Sequence, residues 1–216
     1  MRFARVDEVG ETPSPNSGVW DETPSYEVTM APVPVNSVDT SKYVRDTIAE
    51  NDIGAVGEIG VEGVHDGERV AIKMSWRDAS RNDKVDSTSD FADKASVAFP
   101  VSEGASVMTM GSERAPLNAW YWRADRTEPY DVLAKGFGST ERREPVESGL
   151  RCSSEYDAGG WNVVFSRRLA IGSEEYANIS RRTEVAFAVW EGSNRERGPL
   201  KSYSGEFRGL VLEGLE

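Results

Sequence analysis

A single cysteine and a single histidine stand among 216 residues. Cys152 has no partner for an internal disulfide, so the framework is not that of a small disulfide-stapled secreted domain. One histidine cannot build a zinc cluster, and a hydrolytic triad would lack its base, because His65 opens an Asp-Gly turn where a surface residue is expected. There is no Cys-x-x-Cys-His attachment motif and no glycine-rich phosphate loop between a strand and a helix. No run approaches 18 apolar residues, and the opening Met1 to Glu8 lacks the apolar centre of a signal peptide. The expectation is a soluble chain without an export signal of its own. Lysine is scarce too: 6 lysines and 19 arginines face 37 acids, for a net charge of −12. That balance opposes nonspecific binding to nucleic acid or anionic lipid. An acid-rich, lysine-poor surface also suits concentrated salt, which screens its self-repulsion.

What is present is a period of two. Gly57 to Val64 reads as a strand, residues 65–68 as a tight turn, and Val70, Ile72, Met74 and Trp76 as the inward row of the returning strand. Further inward rows are Ala95, Val97 and Phe99, then Trp161, Val163 and Phe165, then Val185, Phe187 and Val189, with a last strand from Phe207 to Leu212. Val28 to Val35 alternates but carries two prolines, which restricts it to an edge. Asp39 to Glu50, with Val44 and Ile48 at helical spacing, reads as a short helix, and residues 172–180 as a helical turn. Residues 77–93 read as a solvated loop; their aspartates do not fit the ligand positions of a calcium loop. Residues 126–156 read as a long charged loop. The fold class expected is mainly β, an antiparallel sandwich of seven or eight strands with a few short helices in the connections. Residues 1–24, with three prolines and few apolar residues, are expected to form an extended lead-in, and residues 25–216 one domain.

The chain is organised around residues 107–125, which join Met108 and Met110-Gly111 to the aromatic strand Leu117 to Arg123. Alternation puts Trp120 and Trp122 on one face of that strand and Leu117, Ala119, Tyr121 and Arg123 on the other. The tryptophan face is expected to floor a large apolar cavity, or else to be ordinary core. Methionine is a soft thioether ligand, and a glycine beside it lets something flat approach the backbone. Met108 and Met110 fall on one side of an extended segment, so either could be the ligand; each could also simply fill the core.

Met110-Gly111 and residues 116–125, followed by Gly160 to Arg167 and by residues 185–198 ending in Glu196-Arg197-Gly198, resemble the haem b (gamma) subunit of type II dimethyl sulfoxide reductase family molybdenum enzymes. Ethylbenzene dehydrogenase, selenate reductase, chlorate reductase and dimethylsulfide dehydrogenase belong to that group. Weaker matches at residues 64–68, 76–78 and 91–100 fall in the family's order, so the resemblance runs over most of residues 55–213. It implies one non-covalent haem b with Met110 and Lys201 as axial metal ligands and Trp120 and Trp122 lining the haem pocket. Lys201 is the only lysine after Lys135. A lysine ligates iron as the neutral amine, so burial must depress its pKa. With both axial positions filled, electron transfer remains, and the chain is expected to be non-catalytic. The resemblance further implies an iron–sulfur (beta) and a molybdopterin (alpha) subunit as partners, an external electron carrier, and a place on the extracytoplasmic face reached with a signal-bearing partner. The alternative is a non-redox, sugar-binding-like sandwich whose tryptophans stack on a ligand.

Overall fold

A computed structural model describes residues 1–34, 42–143 and 146–215, the side chains of residues 43, 44 and 49 apart. The strands, in chain order, are β1 (Arg2–Arg5), β2 (Tyr26–Thr29), β3 (Ala31–Pro32), β4 (Glu58–His65), β5 (Arg69–Arg77), β6 (Lys94–Pro100) and β7 (Leu117–Arg123). They continue with β8 (Tyr130–Ala134), β9 (Glu141–Arg143), β10 (Arg151–Asp157), β11 (Gly160–Arg168), β12 (Arg182–Trp190), β13 (Ser202–Tyr203) and β14 (Arg208–Leu212). One helix, α1 (Lys42–Glu50), precedes β4. The expected helix from Asp39 begins outside the described residues.

The strands hydrogen-bond in the order β10-β11-β5-β4-β1-β14-β12-β6-β7-β8-β9, with β2 on β4, and β13 between β12 and β3. Folding this ribbon on itself makes two layers. The first is β10, β11, β5 and β4; the second is β12, β6, β7, β8 and β9. Their inner faces meet through aromatic pairs: Trp122 lies 4.8 Å from Trp161 and 6.2 Å from Trp76, and Trp120 lies 6.5 Å from Phe165, between ring centroids. The inward rows expected on β5, β6, β11 and β12 are all buried there. The mainly β, sandwich-like class is as expected.

Pairing is antiparallel except at β1, which runs parallel to both β14 and β4 and joins the two layers. Phe3, fully buried, fills the space that Gly63 leaves open: a Cβ at Gly63 would run into the Phe3 ring. Residues 1–24 are therefore no lead-in, since they supply a central strand and the buried Trp20 of a 3-10 turn at Gly18–Trp20. His65 is also corrected. It is the fully buried last residue of β4, its Nε2 2.9 Å from the Glu213 carbonyl, because β1 and the C-terminal segment cover the turn. Residues 126–156 contain β8, β9 and the start of β10 rather than one loop, and residues 172–180 form turns without a helix. Residues 78–93 are the irregular connection expected, while Arg77 still belongs to β5.

Candidate haem site

The outer face of the second layer is floored by small residues. Along β12, Val185, Phe187 and Val189 point to the core while Ala186 and Ala188 point out; along β6, Ala95, Val97 and Phe99 point in while Ser96 and Ala98 point out. Register lines these up: Ala186 pairs with Ala98, Ala98 with Ala119, and Ala119 with Val132. Methyl-sized side chains leave most of a side-chain layer empty. The connections from residues 107–110, 136–140 and 198–203 roof that space, enclosing a cavity of about 710 Å³. Its size and apolar lining are those of a cofactor site.

Met110 and Lys201 both line it, with Lys201 Nζ 3.9 Å from Met110 Sδ. Met110 is not on a strand. Its backbone is left-handed, φ 58°, as is that of Gly111, φ 77°. The Gly111 N–H donates to the Ser106 carbonyl at 2.9 Å, and Gly136 N–H donates to the Met110 carbonyl at 3.0 Å. A Cβ on Gly111 would sit 2.7 Å from the Ala134 carbonyl oxygen and 3.0 Å from Leu117 N, so glycine alone lets this turn lie against β7 and β8. The Met-Gly pair thus has a steric cause, and its turn aims the Met110 side chain over the alanine floor.

Lys201 is positioned by the Glu196-Arg197-Gly198 segment before it. Glu196 is fully buried and accepts from Gly54 N at 2.7 Å and Glu191 N at 2.9 Å, while Lys94 Nζ donates to its carbonyl at 3.1 Å. Trp190 Nε1 donates to the Gly198 carbonyl at 3.1 Å, tying the loop to the end of β12. Burial pushes the Glu196 carboxyl up to about 7 and the Lys201 ammonium down to about 8. The Lys201 ammonium rests 4.7 Å from the Trp190 ring.

Met108 also lines the cavity, but it is 42% exposed and its thioether accepts from the Tyr203 hydroxyl at 2.9 Å. Trp120 and Trp122 do not reach the cavity. They are 0% and 1% exposed in the inter-layer core, so the sequence expectation for them is corrected: parity was right, but the floor is the opposite face, carrying Leu117, Ala119 and Tyr121. Tyr121, Trp190 and Arg142 line the cavity without having been singled out in the sequence. The alternation of alanine with large apolar residues in β6 and β12 was the available signal.

The donor set fits a haem iron. A thioether and a neutral amine are donors that a haem iron would accept, and Met110 Sδ and Lys201 Nζ meet at 3.9 Å in the cavity wall, where they could hold it. Burial moves Lys201 toward the neutral amine, and none of the described lining residues is an aspartate or glutamate.

Comparison with known proteins shows the family. The sequence profile of the ethylbenzene dehydrogenase family matches residues 17–151. The chain is 35% identical over 216 residues to the chlorate reductase gamma subunit of Ideonella dechloratans, covering 96% of this chain and 83% of that protein. It is also 35% identical over 193 residues to a Haloferax mediterranei protein provisionally named respiratory nitrate reductase heme subunit ORF7, covering 88% of this chain but spanning 65% of that protein's length. In fold it is similar to a carbohydrate binding module family 9 protein from Caldicellulosiruptor kristjanssonii in complex with glucose, with TM-score 0.52, 9% identity, and 100% and 97% of the two chains covered. That likeness describes the sandwich alone. By sequence, the chain belongs to the ethylbenzene dehydrogenase family, as its Met-Gly and Glu-Arg-Gly segments led us to expect.

Proposed function

We propose that this chain is a non-catalytic electron-transfer subunit holding one non-covalent haem b, with Met110 and Lys201 as axial ligands. In this reading it relays electrons between the iron–sulfur subunit of a molybdenum oxidoreductase, which also contains a molybdopterin subunit, and an external carrier. One observation carries the ligand assignment: Lys201 Nζ and Met110 Sδ converge to 3.9 Å within the wall of the alanine-floored cavity. Bound there, haem supplies one-electron chemistry between ferric and ferrous iron. Lys201 presents its amine, held by the Glu196-pinned loop, and Met110 presents a soft thioether that favours the reduced state. The alanine floor excludes water and keeps the surroundings apolar, which also raises the potential. Two protein ligands leave no position for substrate, which is why the role is relay.

Family membership supports the reading of the partners and the location. The gamma-subunit name of the Ideonella relative supports an assembly with other subunits. We place the chain on the extracytoplasmic face, exported with a signal-bearing partner; among the described residues no helix is long and apolar enough to cross a membrane. The rival, a sugar-binding sandwich, loses its stacking platform because Trp120 and Trp122 are sealed in the core.

The test is reconstitution of the purified chain with haem. One equivalent should bind and give a six-coordinate, low-spin visible spectrum that survives reduction. A failure to form a stoichiometric complex would sink the proposal.

A further inference from the structure

The cavity lining has an unusual charge pattern for so acidic a chain. With 37 acids in the sequence, none of the described lining residues is an aspartate or glutamate, and the cations among them are Lys201 and Arg142. In the proposed function Lys201 is taken up as an iron ligand. Arg142 is then the one remaining basic residue among the described lining residues.

Strand register sets where that charge sits. Arg142 on β9 pairs with Val132, which continues the floor row through Ala119 and Ala98 to Ala186. Lys201 immediately precedes β13, which pairs with the other edge of β12. Five inter-strand steps therefore separate the two strands, about 24 Å at ~4.8 Å per step, and both long side chains reach inward over the floor. The Arg142 guanidinium lies 5.9 Å and 5.4 Å from the Tyr121 and Tyr130 ring centroids, at the exposed margin.

The neighbouring arginine shows the contrast. Arg143 points to the opposite face of β9 and is neutralised by Asp131 at 3.1 Å and Glu175 at 3.3 Å. Arg142 makes no ion pair with a described carboxylate. Its charge is held by tyrosine faces, which attract a cation without consuming its five N–H donors.

We infer that Arg142 is the anion clamp of this cavity, its guanidinium pairing with a carboxylate of the bound tetrapyrrole. The inference rests on the haem reading and adds the group that recognises the ligand's acidic edge. A planar guanidinium fork binds a carboxylate bidentately, giving orientation as well as affinity.

The experiment compares haem with its dimethyl ester, which keeps ring and iron but lacks both carboxylate charges. The full-length parent protein, Arg142→Gln and Arg142→Lys are each titrated with both forms, followed by visible absorbance. The parent should prefer haem over the ester by about tenfold to a hundredfold, the scale of a charge-assisted hydrogen bond. Arg142→Gln should lose that preference, bind the ester as the parent does, and keep the six-coordinate spectrum; Arg142→Lys should retain part of it. Unchanged ester binding by Arg142→Gln serves as the control that the cavity still folds. If Arg142→Gln discriminates haem from ester as well as the parent, the clamp is refuted while the haem reading stands. If the parent gives a six-coordinate complex with neither form, the haem reading fails and takes the clamp with it.

Discussion

Lys201 and Met110, 91 residues apart in the chain, bring Nζ and Sδ to within 3.9 Å of each other. Neither is carried by a strand that would bring them together by itself. The meeting depends on a left-handed turn at Met110 and on a loop pinned by Glu196, both docked on the outer face of one sheet. Replacing Met110 or Lys201 with alanine should open one axial position and convert the low-spin haem spectrum to high spin, or release the haem. Met108→Ala should keep the low-spin spectrum, since the Met108 thioether is already engaged by Tyr203. Spectra of the three reconstituted variants decide it; a parent-like Met110→Ala alongside a high-spin Met108→Ala would move the ligand two residues back.

Gly111 provides a backbone test of the same geometry. At φ 77° an alanine is strained, and its Cβ would also lie 2.7 Å from the Ala134 carbonyl oxygen. Gly111→Ala should cost about 2–4 kcal/mol, combining left-handed strain of ~1–2 kcal/mol with displacement of the turn, and should weaken haem binding. Gly104→Ala is the control, with φ 81° and nothing within 4 Å of the added Cβ, so it bears the strain alone. Urea-denaturation midpoints measure the difference, and equal losses at both positions would remove the steric account of the Met-Gly pair.

The sequence made some of this legible and hid the rest for physical reasons. The β4–β5 hairpin is announced by its Asp-Gly turn, and rows such as Val70, Ile72, Met74 and Trp76 are large and apolar, so their burial follows. β1 is paired in parallel with residues near 64 and 211, partners that no local pattern reveals. β8 and β9 look like loop because Asp131, Arg142 and Arg143 interrupt their alternation, although Asp131 and Arg143 neutralise each other. The cavity was assigned to the tryptophan face because bulk draws attention. A binding floor needs the opposite, and alanine facing out of a strand is neither hydrophobic enough nor polar enough to stand out.

Asp78 gives the fold a dependence on pH. It is 3% exposed, one carboxylate oxygen accepts from Ser80 N at 3.0 Å, and the other has no hydrogen-bond partner. Burial, with the charge of Asp93 nearby, pushes its pKa up to about 7. The folded state therefore binds this proton more tightly than the unfolded chain, so the stability it confers is full below about pH 4 and is lost as pH rises through 7. At about 1.4 kcal/mol per pH unit the upper bound is on the order of 4 kcal/mol. Asp78→Asn should raise the melting temperature at pH 8 and leave it nearly unchanged at pH 4. Equal effects at the two pH values would show that ionisation of Asp78 is not the cause.

The alanine floor can be tested within one strand, because β6 presents Ala98 to the cavity and Ala95 to the core. Ala95 is fully buried against the inter-layer aromatics, paired in register with Trp122. A leucine there has no room, so Ala95→Leu should destabilise the fold by about 1–3 kcal/mol, while leaving the cavity face clear. Ala98→Leu projects its added methyl groups into the 710 Å³ space instead. It should cost little stability in the haem-free protein and yet reduce haem affinity by more than a hundredfold, since the added branch takes up space that the ring needs. Thermal melts and haem titrations of the two variants should thus give opposite patterns from substitutions three residues apart. If Ala98→Leu binds haem like the parent, the alanine face is not where the ring lies, and the outer face of the second layer loses its claim to be the site.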